Sequence, residues 1–222
     1  MIWFVVMAVF AAIDWWAVSR ERLRVRYWAK PGALLALILA FTTAGGWHRT
    51  SPWFGVGLIF SLLGDIALLL PRRYFLFGLL AFLLAHIAYI IGFNPTPPPV
   101  RAETLALTAV LGAVTALGFR QLSRGLSRRP ETTLLLPAVM VYTLAIGMMT
   151  LSAWLTLWRP NWPPTAALMA GVGATLFFIS DWTLANHRLI APVKHGGIVV
   201  IVTYHIGQAL LIAGVLHQAG LL

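Results

Sequence analysis

Eight apolar stretches alternate with short polar connections along the 222 residues of the chain. Most of these stretches reach the ~17 to 25 residues that a helix needs to cross the hydrocarbon core of a bilayer, and the fifth is the shortest. The pattern predicts an all-α membrane protein, a single bundle of eight transmembrane helices in which residues 1–222 form one domain without a soluble part. The predicted spans are residues 2–18, 31–47, 53–70, 75–93, 104–119, 132–155, 165–185 and 196–218.

Composition and charge support a membrane location. Hydrophobic residues make up 60% of the chain and charged residues 10%, with a mean hydropathy of +0.85. The net charge of +10 would suit a nucleic-acid partner, but 13 of the 16 basic residues fall on odd-numbered loops. By the positive-inside rule these loops are cytoplasmic and both termini face away from the cytoplasm. The expected location is the cytoplasmic membrane of a bacterium, and no nucleic-acid partner is expected.

Glycine and proline positions predict how the helices pack. Most prolines fall at span edges, and only Pro137 is predicted inside a span, where it would kink the sixth helix near its start. Gly171, Gly173 and Ala174 form a strip of small residues on the seventh helix. Such a strip allows another helix to approach closely.

Three aspartates lie inside predicted spans. Asp14, Asp65 and Asp181 each precede a basic residue at the cytoplasmic edge by six or seven positions. At ~1.5 Å rise per residue they would sit at a similar depth, ~9 Å inside the inner boundary. A carboxylate at such a depth costs ~2.5 to 3.5 kcal/mol and therefore usually faces a partner or a cavity. Asp65 and Asp181 are candidate functional residues, or each closes a helix–helix hydrogen bond. For Asp14, a solvated or Lys30-paired carboxylate is at least as well supported as a site residue.

Other polar side chains come from helices that run in the opposite direction. His86 and Tyr89 are three residues apart on one face of the fourth span, and Tyr204 and Gln208 are four apart on one face of the eighth. Tyr142 is a further candidate in the sixth span, and His205 points about a quarter-turn away from Tyr204. Taken singly, such residues are more often packing residues than catalysts. Motifs such as H-E-x-x-H and G-x-S-x-G do not occur, so neither a metal nor another cofactor is predicted.

The ordered set of these motifs resembles the YhhN-like lysoplasmalogenases, a family of integral membrane proteins with eight predicted spans. The residues that carry the resemblance are Lys30-Pro31, FSLLGDIALL in the third span, Gly78, Phe82, His86 and Tyr89 in the fourth, Tyr142 in the sixth, GATLFFISDWTLA in the seventh, and Tyr204 with Gln208 in the eighth. One departure is Trp182, because a small residue commonly follows the Ser-Asp pair in the family.

The resemblance implies hydrolysis of the vinyl-ether bond of a lysoplasmalogen, with a lysophospholipid as substrate and membrane lipids around it. It implies catalysis by Asp65 and Asp181. The supporting or substrate-binding residues would be His86, Tyr89, Tyr142, Ser180, Tyr204, Gln208 and Lys30. From their location at the inner edge, Lys30, Arg72 and Arg73 would meet the lipid phosphate, or they serve only the cytoplasmic topology of the loops.

The chemistry of a vinyl ether requires a proton donor beside a group that tolerates developing positive charge. By analogy with glycosidases, two carboxyl groups ~6.5 to 9.5 Å apart would leave room for a water molecule. The alternatives are a proton-coupled transporter of a small or lipid-like solute, because intramembrane carboxylates also mark ion pathways, and a non-catalytic scaffold. Transporters often contain inverted repeats. The short echo between SLLGDIAL and FFISDWTL would instead belong to a parallel repeat.

Overall fold

The computed structural model describes residues 1–128 and 133–222, and in these two ranges it contains helices and no β-strand. The main helices are α1 (Ile2–Ser19), α2 (Leu23–Thr43), α3 (Trp53–Leu69), α4 (Phe75–Phe93), α5 (Ala102–Leu126), α6 (Leu136–Leu155), α7 (Pro164–Ala185) and α8 (Gly196–Gln218). A π-helical turn, Asn186–Ile190, continues α7, and a single helical turn, Gly46–Arg49, follows α2.

Six of these helices are long and apolar enough to cross a membrane, which identifies an integral membrane protein. The six are α1 and α4 to α8. Helix α3 is apolar but shorter, with 17 residues. Helix α2 carries basic residues in its first turns.

Two helices extend beyond the apolar stretches that predicted them. Helix α2 begins at Leu23 instead of residue 31, so Pro31 lies inside it. The prediction that Pro137 alone would lie inside a span was therefore wrong, and Pro137 occupies the second position of α6, where its missing N–H is not needed. Helix α5 continues to Leu126 instead of residue 119.

The physical reason for both extensions is that arginine and lysine are good helix formers. Their long side chains let a helix continue past the apolar core while the charge stays near water. Hydropathy detects the apolar part of such a helix and misses its basic end. The predicted loop residues Arg129, Pro130 and Glu131 lie outside the described residues.

Six helices form a closed ring in the order α2, α3, α4, α6, α7 and α8, each in contact with the next. Helix α1 lies outside the ring against α2 and α8, and α5 lies outside it against α6 and the π-helical turn. The second four helices thus repeat the contact order of the first four. This contact order agrees with the parallel repeat expected from the sequence, in which α3 with Asp65 would correspond to α7 with Asp181.

Helices α7 and α8 touch through their backbones. A Cβ atom added to Gly173 would lie 2.5 Å from the backbone nitrogen of Leu211, and one added to Gly207 would lie 2.8 Å from the carbonyl oxygen of Gly173. The predicted close approach at Gly173 is confirmed. Gly171 serves a different neighbour, because its Cβ would lie 2.6 Å from the ring of Trp154 on α6.

Candidate functional site

Six polar side chains, one from each ring helix, form two clusters of three inside the bundle. The side chains are Lys30, Asp65 and Tyr204 in the first cluster, and His86, Tyr142 and Asp181 in the second. In each cluster an aspartate meets one tyrosine and one nitrogen base from two other helices. The sequence predicted all six residues as site residues.

In the first cluster, Asp65 forms an ion pair with Lys30. The Lys30 Nζ atom lies 2.8 Å from Asp65 Oδ1, and the Tyr204 hydroxyl donates a hydrogen bond of 2.8 Å to Oδ2. Asp65 is fully buried and Lys30 is 6% exposed. A buried charge of this kind needs a partner of opposite charge, which Lys30 supplies. Lys30, expected to meet a lipid phosphate, is thus already the counter-ion of a carboxylate.

In the second cluster, Asp181 is bound by a phenol and an imidazole. The Tyr142 hydroxyl donates a hydrogen bond to Asp181 Oδ2, and His86 Nε2 lies 3.2 Å from the same oxygen and 3.2 Å from the Tyr142 hydroxyl. Asp181 is 8% exposed. The other ring nitrogen of His86, Nδ1, has no hydrogen-bond partner within residues 1–128 and 133–222. In those ranges no three His, Cys, Asp or Glu side chains form a group that could hold a metal ion.

Aromatic rings lie between the two clusters. The ring centroid of Phe177 is 5.3 Å from that of Tyr204 and 4.9 Å from that of His86. Phe82 contacts both Phe177 and Tyr204 edge to face. Such T-shaped contacts hold rings at defined angles. The rings therefore separate the two carboxylates laterally and also fix the tyrosine and histidine that bind them.

Both aspartates line a single cavity of about 380 Å³, here termed the polar cavity. Lys30, Tyr204 and Ser180 also line it. It lies where α3 ends and α8 begins, because Leu69 and Gly197 are among its walls. Its basic lining residues are Lys30, Arg26, His187 and Arg188. Carboxylates from α3 and α7 therefore share one space that is rich in cationic groups.

A second cavity, of about 50 Å³ and here termed the apolar cavity, lies beside Asp181. Its walls come from α3 to α7 and are almost entirely hydrophobic, and Trp182 forms part of them. It shares Leu68, Phe82, Asp181 and Leu184 with the polar cavity. The two cavities therefore meet at Asp181, and Asp65 lines only the polar one.

Three predicted site residues serve mainly to connect helices. The Tyr89 hydroxyl donates to Gln208 Oε1 at 2.9 Å, and Gln208 Nε2 donates to Ser61 Oγ at 2.9 Å. This chain joins α4, α8 and α3 in a fully buried position, and none of its members lines either cavity. Ser180 donates to the Val200 carbonyl at 2.9 Å and joins α7 to α8. Ser61 was missed, although it lies four residues before Asp65, on the same helical face.

Asp14 lies outside the two clusters. It is fully buried, and its Oδ1 atom accepts a hydrogen bond of 3.1 Å from Arg26 Nε. Asp14 is thus neither solvated nor bonded to Lys30. Arg26 was missed as a partner because hydropathy assigned it to a loop, whereas it lies on α2. His205 points toward α1 and accepts a 3.1 Å hydrogen bond from Trp15 Nε1.

Comparison with known proteins places the chain among membrane enzymes. It is 34% identical to lysoplasmalogenase TMEM86A of Homo sapiens over 181 residues, which cover 80% of this chain and 70% of the relative. It is 32% identical to lysoplasmalogenase TMEM86B of Sus scrofa over 82% of this chain and 70% of the relative. The membrane protein YhhN of Escherichia coli O157:H7 is 33% identical over 73% of this chain and 74% of the relative.

No solved structure is significantly similar to the chain. The sequence profile of the YhhN family, in contrast, matches residues 25–215 and so extends from the first turn of α2 into α8. This range includes both aspartate clusters. The chain belongs to the YhhN family.

Proposed function

We propose that this protein is a membrane-embedded hydrolase that cleaves the vinyl-ether bond of lysoplasmalogens and releases a fatty aldehyde and a glycerophospho-ethanolamine or -choline. The relatives named lysoplasmalogenase support this assignment. The observation on which the mechanism rests is that Asp65 and Asp181, from different helices, line one cavity. A purely structural pair of aspartates would not need to share an open space with cationic residues.

The reaction needs an acid, a water molecule and a group that stabilises a cation. One carboxyl group protonates the alkene carbon of the vinyl ether, and an oxocarbenium ion forms. Water then adds to this ion and passes a proton to a carboxylate, giving a hemiacetal that collapses to the aldehyde and the alcohol. Two carboxyl groups thus divide the acid and base roles, as they do in glycosidases. Tyr142 and Tyr204 hold the two groups in position through their hydrogen bonds.

The proposal includes a topology of eight spans in one domain, with both termini away from the cytoplasm. The lipid headgroup would enter the polar cavity from the inner leaflet of the cytoplasmic membrane of a bacterium. In support, Arg26 and Arg188 line this cavity, and both belong to the basic segments that the positive-inside rule assigns to the cytoplasm. Arg188 offers the phosphate a guanidinium group at the cavity wall.

The test is turnover by the purified protein in detergent, with a lysoplasmalogen and a panel of acyl lysophospholipids as substrates. Aldehyde release is expected from the lysoplasmalogen. Asp65→Asn and Asp181→Asn should each lower it by about 10² to 10⁴-fold, the usual contribution of a general acid or base. Asp14→Asn is the matched control, because Asp14 is a buried aspartate outside both cavities and should retain turnover.

Other outcomes identify the alternatives. Ion or solute flux in proteoliposomes without turnover of any lysolipid would favour a carrier. Fatty-acid release from acyl lysophospholipids, without aldehyde from the lysoplasmalogen, would contradict the vinyl-ether assignment. Folding of each variant is measured in parallel, so that a loss of structure is not mistaken for a loss of catalysis.

A further inference from the structure

We propose that the apolar cavity binds the proximal part of the alkenyl chain and that Trp182 determines which chains it accepts. This inference rests on the proposed function, because it assigns the two cavities to the two parts of one lysolipid. The polar cavity takes the glycerophospho headgroup. The apolar cavity takes the first carbons of the chain, and the remainder of the chain extends into the bilayer.

Adjacency of the two cavities supports this division. They share the walls formed by Leu68, Phe82, Asp181 and Leu184. A lysolipid has a charged end and a hydrocarbon end joined through the ether oxygen, so its two ends match two adjacent cavities of opposite character. The vinyl ether then lies where the cavities meet, and among the described residues Asp181 is the carboxyl group that lines both cavities. Asp181, rather than Asp65, is therefore the group in position to protonate the alkene carbon.

The lining of the apolar cavity fits a hydrocarbon. It is hydrophobic except for Tyr142, Thr143 and Asp181, and Tyr142 and Asp181 are bonded to each other. Thr143 donates its hydroxyl to the Val139 carbonyl. Its polar side chains thus already have partners, and the space favours an apolar occupant. At about 50 Å³ it holds a few carbons and not a whole chain.

Trp182 forms part of the wall of the apolar cavity, and its ring contacts the neighbouring helix α5. Its ring rests on Gly118 of α5, where an added Cβ would lie 2.7 Å from Trp182 Cζ3. A methyl group at this position would push the ring toward the cavity. Replacing Trp182 by a small residue would remove the wall. Substitutions on two different helices should therefore change the cavity in opposite directions.

The experiment compares a linear alkenyl chain with one that carries a methyl branch beside the vinyl ether. For Trp182→Ala the ratio of kcat/KM for the branched to the linear chain should rise about tenfold or more, the effect of one methyl group in an apolar pocket. For Gly118→Ala the ratio should fall. Trp182→Phe serves as a conservative variant with an intermediate ratio, should the alanine variant fold poorly.

The matched control is another tryptophan–glycine pair, formed by Trp154 and Gly171. The ring of Trp154 lies against Gly171 as closely as Trp182 lies against Gly118, and neither residue lines the polar or the apolar cavity. Gly171→Ala should leave the ratio unchanged. A ratio that stays constant in all the Trp182 and Gly118 variants would overturn the proposal, as would an equal shift in Gly171→Ala.

A binding measurement separates this inference from the proposed function. The probe is a saturated alkyl-ether lysophospholipid with a photoreactive diazirine beside the ether oxygen, because it cannot be hydrolysed at a vinyl ether. Labelling is expected within residues 139–146 and 178–189, which contain most of the α6 and α7 wall. Labelling there without turnover would support the cavity and contradict the hydrolase. Labelling confined to α1 and α2, in an active enzyme, would overturn the cavity and leave the hydrolase intact.

Discussion

Helices α1 and α5 both lie outside the ring, but they contact different neighbours. Helix α1 packs against α8, and Trp15 bonds to His205 there. Helix α5 packs against α6 and the π-helical turn, and its Leu122 forms one wall of the apolar cavity. The second half of the chain thus leaves an apolar space beside Asp181, whereas Asp65 lines only the polar cavity.

The two aspartates also differ, in their partners and in their exposure. Asp65 has a full cation as partner and no exposed surface, whereas Asp181 is bound by a phenol and an imidazole and is partly exposed. Lys30 offsets the negative charge of Asp65 directly. Asp181 has no lysine or arginine partner among the described residues and lies where the two cavities meet. The two carboxylates therefore have different environments.

The largest expected contrast is in stability. Asp65→Asn leaves the Lys30 cation buried without its counter-ion and should lower the free energy of unfolding by about 3 to 5 kcal/mol. Asp181→Asn removes hydrogen bonds to a charged group and should cost about 1 to 3 kcal/mol. Denaturant or thermal unfolding in detergent measures both. Equal losses would show that the two clusters do not differ in the way their partners indicate.

Removing the unpaired charge of Lys30 should restore the stability that Asp65→Asn loses. In the double variant Asp65→Asn with Lys30→Met, the amide and the thioether fill the site without a buried charge, and most of the lost stability should return. The same unfolding measurement gives the coupling energy between the two positions. Additive losses would mean that Lys30 and Asp65 do not stabilise each other.

The contact between α7 and α8 should tolerate an added methyl group less well than an uncrowded position on α5 does. Gly173→Ala places a methyl group against the α8 backbone and should destabilise the protein by about 1 to 3 kcal/mol. Gly112→Ala on α5 is the control, because no atom lies within 4 Å of its added Cβ. That change should stabilise the helix by about 0.5 to 1 kcal/mol. A neutral Gly173→Ala would contradict the direct backbone contact.

A last comparison distinguishes the two tyrosines by their effect on turnover. Tyr142→Phe and Tyr204→Phe each remove one hydrogen bond to a carboxylate and should cost about 1.5 to 3 kcal/mol or less. If Asp181 transfers the proton, Tyr142→Phe should change kcat more than Tyr204→Phe, by roughly tenfold for each ~1.4 kcal/mol of transition-state stabilisation. Comparison of kcat values at saturating substrate tests this order, and the reverse order would assign the proton transfer to Asp65.

Much of this architecture was predictable because the bilayer constrains it so strongly. The length of each apolar stretch gave most helices to within a few residues, and the cost of burying a charge singled out Asp65 and Asp181. Helical spacing placed Tyr204 and Gln208 on one face and turned His205 away from it. These properties depend on one helix at a time, so the order of residues along that helix determines them.

The contacts between side chains of different helices could not be predicted in this way. Lys30 was assigned to the edge of a loop until α2 proved to begin at Leu23. Nothing in its own helix indicates that it meets Asp65, or that Tyr142 and His86 meet Asp181. The two cavities likewise depend on which helices are neighbours and on how closely glycines such as Gly118 and Gly173 let them approach. Those choices arise from packing among side chains distant in the chain, and only the folded bundle resolves them.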